Sequence, residues 1–319
     1  MPLLRATASL PKLMNRERGP MGLCLRPTTL ADALLALADP KLARSPEKID
    51  RLTVLAGGTD FYPAQTARTA WLEATPRNIL DISGIEELRG IREAGTGITF
   101  GALTTWAEIR DARLPRAFDG LKLAAREVGG QQVQNRGTIA GNLCNASPAA
   151  DGVPPLLTLD ASVEIASPRG QRSIPVAEFI TGNRKTVLAA DELVTAVHIP
   201  MPDPAARATF LKLGARAYLV ISIVSVAAAV HVGDDGHIAG ARIAVGACSA
   251  VPQRLIQLEH DLAGAPAADA IRIVVAGHMA ALHPIDDVRG SADYRRRAAL
   301  VVTRRALIQC LAIESEAAA

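Results

Sequence analysis

The chain has 319 residues, 49% of them hydrophobic and 21% charged, with a formal net charge of +3. That length implies two domains or one large α/β unit, because single cores split beyond about 250 residues, and a net charge so small does not point to a polyanion such as nucleic acid as partner. The longest apolar run, residues 218–232, is interrupted by Ser222 and Ser225 and falls short of the ~20 residues that a membrane span needs.

Residues 1–20 carry Arg5, Lys12, Arg16 and Arg18 but no continuous apolar segment, so no secretory signal is expected there. They are read as a loosely ordered extension, with Met21 an alternative start. Thr28 or Thr29 caps a helix over residues 30–38, where Leu30, Ala33, Leu34 and Leu37 share one face and Asp39-Pro40 ends it. Short strands are expected at residues 52–56, running into Gly57-Gly58-Thr59-Asp60, at 77–82 and at 97–103, with a turn of helix at 85–88. A helix over 118–128 stops at Gly129-Gly130 and leads into a glycine- and asparagine-rich loop, residues 134–151. Strand-like runs follow at 161–166 and 172–175, then at 194–199. Pro200, Pro202 and Pro204 break regular structure, which places a domain boundary there.

Beyond it, residues 208–213, 221–232 and 238–245 read as three antiparallel strands, followed by helices at about 268–282 and 292–311, the second with arginines on its polar side. Three strands and two helices make a compact α+β domain. Cys24, Cys144, Cys248 and Cys310 lie far apart without C-x-x-C spacing, which argues against a zinc or iron-sulfur site in this chain and implies a reducing compartment. His198, His231, His237, His260, His278 and His283 have neither metal-ligand nor triad spacing.

Four readings apply to the two glycine loops. They are tight turns at strand ends; a Rossmann site, for which the G-x-G-x-x-G spacing is missing; a P-loop, for which G-x-x-x-x-G-K-[ST] is missing; or a pair of loops that together clasp a diphosphate through backbone N–H groups. The occurrence of both within one 150-residue segment favours the last.

A-G-G-T-D at 56–60, T-I-A-G-N at 138–142 and N-A-S-P-A-A-D at 145–151, taken in that order, resemble the FAD-binding medium subunit of molybdenum hydroxylases, the group of the carbon monoxide dehydrogenase medium subunit and the xanthine dehydrogenase flavin segment. Residues 79–82 and 100–105 fit its flavin domain and residues 241–247 its small C-terminal domain, so the resemblance covers nearly the whole chain. It implies an α+β fold: a two-subdomain FAD-binding domain of the p-cresol methylhydroxylase/vanillyl-alcohol oxidase type over residues 21–203, with subdomains at about 21–76 and 77–203, followed by a small α+β domain over 204–319.

Carried onto this sequence, the resemblance makes Val54, Leu55, Ala56, Gly57, Gly58, Thr59, Asp60 and Phe61 the first diphosphate loop. Glycine lets the backbone close on phosphate there, and the Asp60 carboxylate turns away to backbone N–H groups or a sugar hydroxyl. Thr138, Ile139, Ala140, Gly141 and Asn142 form the second loop, Asn145 and Asp151 reach ribityl or ribose hydroxyls, and Val128 lies near the ring system. Val194 and Lys212 lie at the flavin's other side, where a lysine stabilises negative charge on the reduced ring; the alternative for Lys212 is a solvated strand charge. Ala140 departs from the family, which often has glycine there. Cys144 is read as a small packing residue.

The implied function is that of an electron-transfer subunit. It holds FAD non-covalently, takes electrons from [2Fe-2S] clusters on a small subunit and passes them to an external acceptor, while a large subunit carries the molybdenum cofactor. A cytoplasmic heterotrimer or a dimer of heterotrimers is expected, without catalytic residues or metal on this chain. The rival readings are a self-contained flavin reductase, such as the one acting on UDP-N-acetylenolpyruvoylglucosamine, and a cofactor-free scaffold.

Overall fold

The computed structural model describes residues 15–19, 22–43, 51–73, 75, 78–217 and 219–311. The described strands form three larger sheets and one two-stranded ribbon. In the first, β1 (Asn15–Gly19) pairs antiparallel with β2 (Gly22–Arg26), while β3 (Leu52–Leu55) and β4 (Asn78–Asp81) run parallel to each other, giving the order β1-β2-β4-β3. Residues 15–19 form the edge strand of this sheet. The Asn78 side-chain oxygen accepts from the Leu23 amide at 3.0 Å, which helps fix β2 against β4. Residues 1–14 and 20 lie outside the described residues.

The second sheet is antiparallel throughout. It holds β5 (Ile91–Ala94), β6 (Gly97–Gly101), β7 (Ser162–Ser167) and β8 (Gly170–Pro175). After a short ribbon of β9 (Ile180–Gly182) and β10 (Lys185–Thr186), the strand β11 (Leu193–Pro200) enters its middle, giving the order β5-β6-β11-β7-β8. Phe100 sits opposite Val197 in this register, and alternate residues Ile98, Phe100, Val163, Ile165, Val197 and Ile199 are buried, as a sheet with one face on a core demands.

The third sheet holds β12 (Arg207–Leu213), β13 (Val224–Val232), β14 (Ile238–Gly246) and a short β15 (Gln253–Arg254). The expected three strands are present, though the middle one begins at Val224 and a fourth closes the edge. β13 is buried on both faces. Val224, Val226, Ala228 and Val230 join the core beneath the helix Ala292–Leu311, whereas Ala227 packs with Phe210 and with Ala124 of the preceding domain. Alanines suit a strand between two packed layers because they let both layers approach.

Two expectations fail here for physical reasons. The helix expected at about 268–282 is only Ala270–Ile273 with 3-10 turns on either side. Val275 is extended, and the Val274 carbonyl accepts from the Arg304 guanidinium at 2.7 Å, so the helical ladder cannot continue through it. The helix Ala292–Leu311 does form, but Arg295 on it is buried and not on a polar face. It donates to the Ile223 and Ala247 carbonyls at 2.9 and 3.1 Å and to Asp287 at 2.6 Å, so strand-end carbonyls that would otherwise lack a donor are satisfied. Among the described residues no helix is long and apolar enough to cross a membrane.

Candidate functional site

The first glycine loop leaves β3 and enters the helix Phe61–Ala70, which buries none of its residues. Gly58 has φ +75°, a conformation that favours glycine. Gly57 is constrained differently: a Cβ there would stand 1.9 Å from the Arg136 carbonyl oxygen. The two glycine loops therefore touch backbone to backbone at this point.

The second loop is not all loop. Thr138 caps a helix, Ile139–Asn145, accepting from the Gly141 amide at 3.1 Å, and Ala146 ends it in the left-handed conformation. The approach is held by Gln134, buried, which donates to the Arg126 carbonyl at 2.9 Å and accepts from Arg110 at 2.8 Å. Trp106 follows Thr105, which forms a capping box with Glu108. The Trp106 amide donates to the Gly137 carbonyl at 3.1 Å, and the Ile139 amide donates to the Thr104 carbonyl at 3.0 Å. These bonds tie the second loop to the end of β6.

Between the loops lies a cleft of about 420 Å³. Residues 54–61 line it, together with Val128, Thr138, Ala140, Gly141, Asn142, Asn145 and Val194. Three expected site residues are absent from the lining. Ile139 faces inward as the first residue of its helix and is fully buried in the core. Asp151 and Lys212 meet each other at 2.7 Å, both nearly buried, and Asp151 also accepts from Ser222 at 2.5 Å. Lys212 is thus neither a solvated strand charge nor a free cation, and its ammonium also donates to the Glu127 carbonyl at 3.3 Å. Burial pushes the Asp151 carboxyl above its ordinary value, while Lys212 and Ser222 pull it down.

The side chains of Asp60, which is exposed, and Asn145 engage each other. The Asn145 amide nitrogen donates to Asp60 at 3.0 Å, and its oxygen accepts from Arg184, whose own amide donates to the Ala146 carbonyl at 2.9 Å. Asp60, Asn145 and Arg184 form a polar bridge from the first loop through the second to the ribbon of β9 and β10.

Sequence reasoning did not single out Trp106, Leu188, Glu192 and Leu193, which also line the cleft. Trp106 had a signal: a polar Thr104-Thr105 pair ending a strand is where a capped helix begins. Glu192 had none, since only the fold brings Arg172 to pair with it at 2.8 Å and hold its carboxyl below the usual range.

Chemically the cleft joins two kinds of wall. Ile82, Ala102, Val128, Leu188, Leu193 and Val194 are apolar, whereas Gly57, Gly58, Thr59, Thr138 and Asn142 offer amides and hydroxyls. Asn142 Oδ1 is buried with no hydrogen-bond partner, an acceptor that a ligand hydroxyl would satisfy. Such walls fit a ligand that combines phosphate and sugar groups with flat rings. No group of three or more metal-ligating side chains occurs among the described residues.

Residues 18–202 match the family described as FAD binding domain in molybdopterin dehydrogenase, and residues 209–310 that described as CO dehydrogenase flavoprotein C-terminal domain. The chain is similar to the nicotinate dehydrogenase FAD-subunit of Eubacterium barkeri, with 37% identity over 67% of this chain and 72% of the relative. It is also similar to the putative xanthine dehydrogenase FAD-binding subunit of Escherichia coli K12, with 32% identity over 90% and 95%. Among solved structures it resembles a chain of carbon monoxide dehydrogenase from Hydrogenophaga pseudoflava, with 26% identity, 93% and 99% coverage and a TM-score of 0.80.

Proposed function

The chain belongs to the family of FAD-binding subunits of molybdopterin dehydrogenases, and from that premise we propose that it holds FAD in the cleft between the two glycine loops and serves as the electron relay of a heteromeric molybdenum hydroxylase. The observation that carries the siting is the contact of the loops at Gly57 and Arg136, beside which both loops line the cleft. When bound, FAD supplies a carrier that takes up and gives back two electrons.

The chain's own residues have distinct tasks in this reading. Gly57 and Gly58 present amides to the diphosphate, and Thr59 and Thr138 add hydroxyl groups. Asn142 accepts from a ribityl or ribose hydroxyl. Val128 and Val194 form apolar walls against the rings. The Asp151–Lys212 pair acts from behind: by holding the Glu127 carbonyl, Lys212 fixes the segment that presents Val128. We read the fold as the two-subdomain p-cresol methylhydroxylase/vanillyl-alcohol oxidase type over residues 21–203, dividing near residue 76, followed by a small α+β C-terminal domain over 204–319 that packs against it. We further assign the molybdenum cofactor and [2Fe-2S] clusters to large and small partner subunits, and the assembly to the cytoplasm. Relatives named as subunits of dehydrogenases favour this relay over a self-contained reductase.

Reconstitution tests the reading. The purified chain, incubated with FAD and desalted, is expected to retain the visible flavin absorption at close to one flavin per chain; a colourless protein overturns it. Asn145→Ala cuts the bridge between Asp60 and Arg184. It is expected to speed FAD release about threefold to tenfold, the scale of losing hydrogen bonds to charged groups at a partly solvated site, and stopped-flow flavin fluorescence measures it.

A further inference from the structure

Next to the contact between the glycine loops lies a second cavity, of about 180 Å³. It shares Ala56, Gly57 and Thr138 with the walls of the larger cleft, but its chemistry is different. Three guanidinium groups, those of Arg26, Arg89 and Arg136, line it together with Ser83 and Asn135, and no acidic residue is among its lining.

The three arginines are unequally committed. Arg26 donates to the Ser83 hydroxyl at 3.3 Å and lies 3.4 Å from Asp81. Arg89 donates to the Ser83 carbonyl at 2.7 Å, yet its Nε is buried without a hydrogen-bond partner and stands 3.6 Å from Glu86. The side chains of Arg136 and Asn135 have no partner among the described residues. Asp81 and Glu86 offset part of the positive charge from outside the lining, and Glu108 holds the hydroxyl of Thr105 at the edge. Among the lining residues this leaves one planar fork and one amide without a partner and one buried N–H without an acceptor.

We propose that this cavity is an anion site, built for a single phosphate group. Guanidinium forks match the oxygens of phosphate two at a time, and a donor already desolvated gains most from a charged acceptor. A water molecule occupies about 30 Å³ of liquid, so the space exceeds one water and accommodates a phosphate with part of its hydration. The ligand is free orthophosphate or the phosphate of a small monoester. It is distinct from the FAD diphosphate, which in the reading above lies in the larger cleft.

Calorimetric titration of the full FAD-loaded chain with sodium phosphate, against sodium chloride at equal ionic strength, tests this, and a parallel arm uses glycerol 3-phosphate. Saturable binding is expected in the phosphate arm, weakened about tenfold or more in Arg136→Gln through loss of charged hydrogen bonds, and weakened also in Asn135→Ala. Arg116→Gln removes an exposed arginine outside the cavity and is expected to leave binding unchanged. Tighter binding of the monoester identifies it as the source, and equal or weaker binding identifies free phosphate. Heat that follows ionic strength alone, or an equal loss in Arg116→Gln and Arg136→Gln, overturns the site. A chain that takes up no FAD overturns the cofactor reading instead, and the same titration of the FAD-free chain still reads this cavity.

Discussion

Gly57→Val is expected to raise the dissociation constant for FAD by about two orders of magnitude, the scale of 1–3 kcal/mol for overpacking a tight contact. The added Cβ would lie 1.9 Å from a backbone oxygen of the opposite loop, and a backbone atom cannot move aside as a side chain tip does. The loops must part, and the amides on both sides lose their common focus. Flavin fluorescence titration of the folded variant measures the shift, and an unchanged affinity would remove the first loop from the site. Gly141 is a gentler position: its nearest neighbour would be the Thr138 hydroxyl at 2.8 Å, so substitution there injures a helix cap before it injures the contact between the loops.

Lys212→Met is expected to lower stability by about 3–5 kcal/mol, because removing one member of a buried pair leaves the other charge uncompensated. Both side chains of the Asp151–Lys212 pair are 7% exposed, so solvent screens little of this loss. The pH dependence has a definite sign. Burial raises the folded-state pKa of Asp151, so its contribution to stability is greatest below the ordinary carboxylate range and declines as pH rises through the folded value. Taking away Lys212 removes a group that pulls this pKa down. The deficit of the variant should therefore be smallest at acid pH and grow as pH rises above the ordinary carboxylate range in urea unfolding. The double replacement Asp151→Asn with Lys212→Met is expected to recover more than half of the loss, and equal losses in single and double variants would refute pairing as the cause.

Much of the architecture could be read from residue pattern alone. Ile98 and Phe100, Val197 and Ile199, and Ile243 and Val245 alternate as half-buried strands do, and each lies in a strand. Elements without an apolar stripe were invisible for the same reason: the helix Phe61–Ala70 buries nothing, so no periodicity marks it. The helix Ile139–Asn145 was hidden because Gly141 and Asn142 weaken helical propensity, while a single threonine cap and the ties to Thr104 and Trp106 hold it.

The cleft was legible in its glycines, whose spacing survives folding because both loops are local. Its polar contacts were less so. Arg184 and Asn145 are 39 residues apart and Lys212 and Asp151 are 61 apart, and nothing in the composition of a charged residue says which partner the fold will bring to it. Arg295 illustrates the same limit, since an arginine beside two others on a helix reads as surface until two strand-end carbonyls claim it.

The two family matches end at residue 202 and begin again at 209, a gap that invites dissection of the chain into two modules. The doubly buried strand β13 says otherwise. Ala227 rests against Ala124, and Ala244 of the neighbouring strand belongs to the core of the other half. Separating the halves would strip apolar surface from both, so the seam in the sequence is not a seam in the energetics. A shuffled C-terminal segment would have to bring not only its own interior but a second face cut to fit its host.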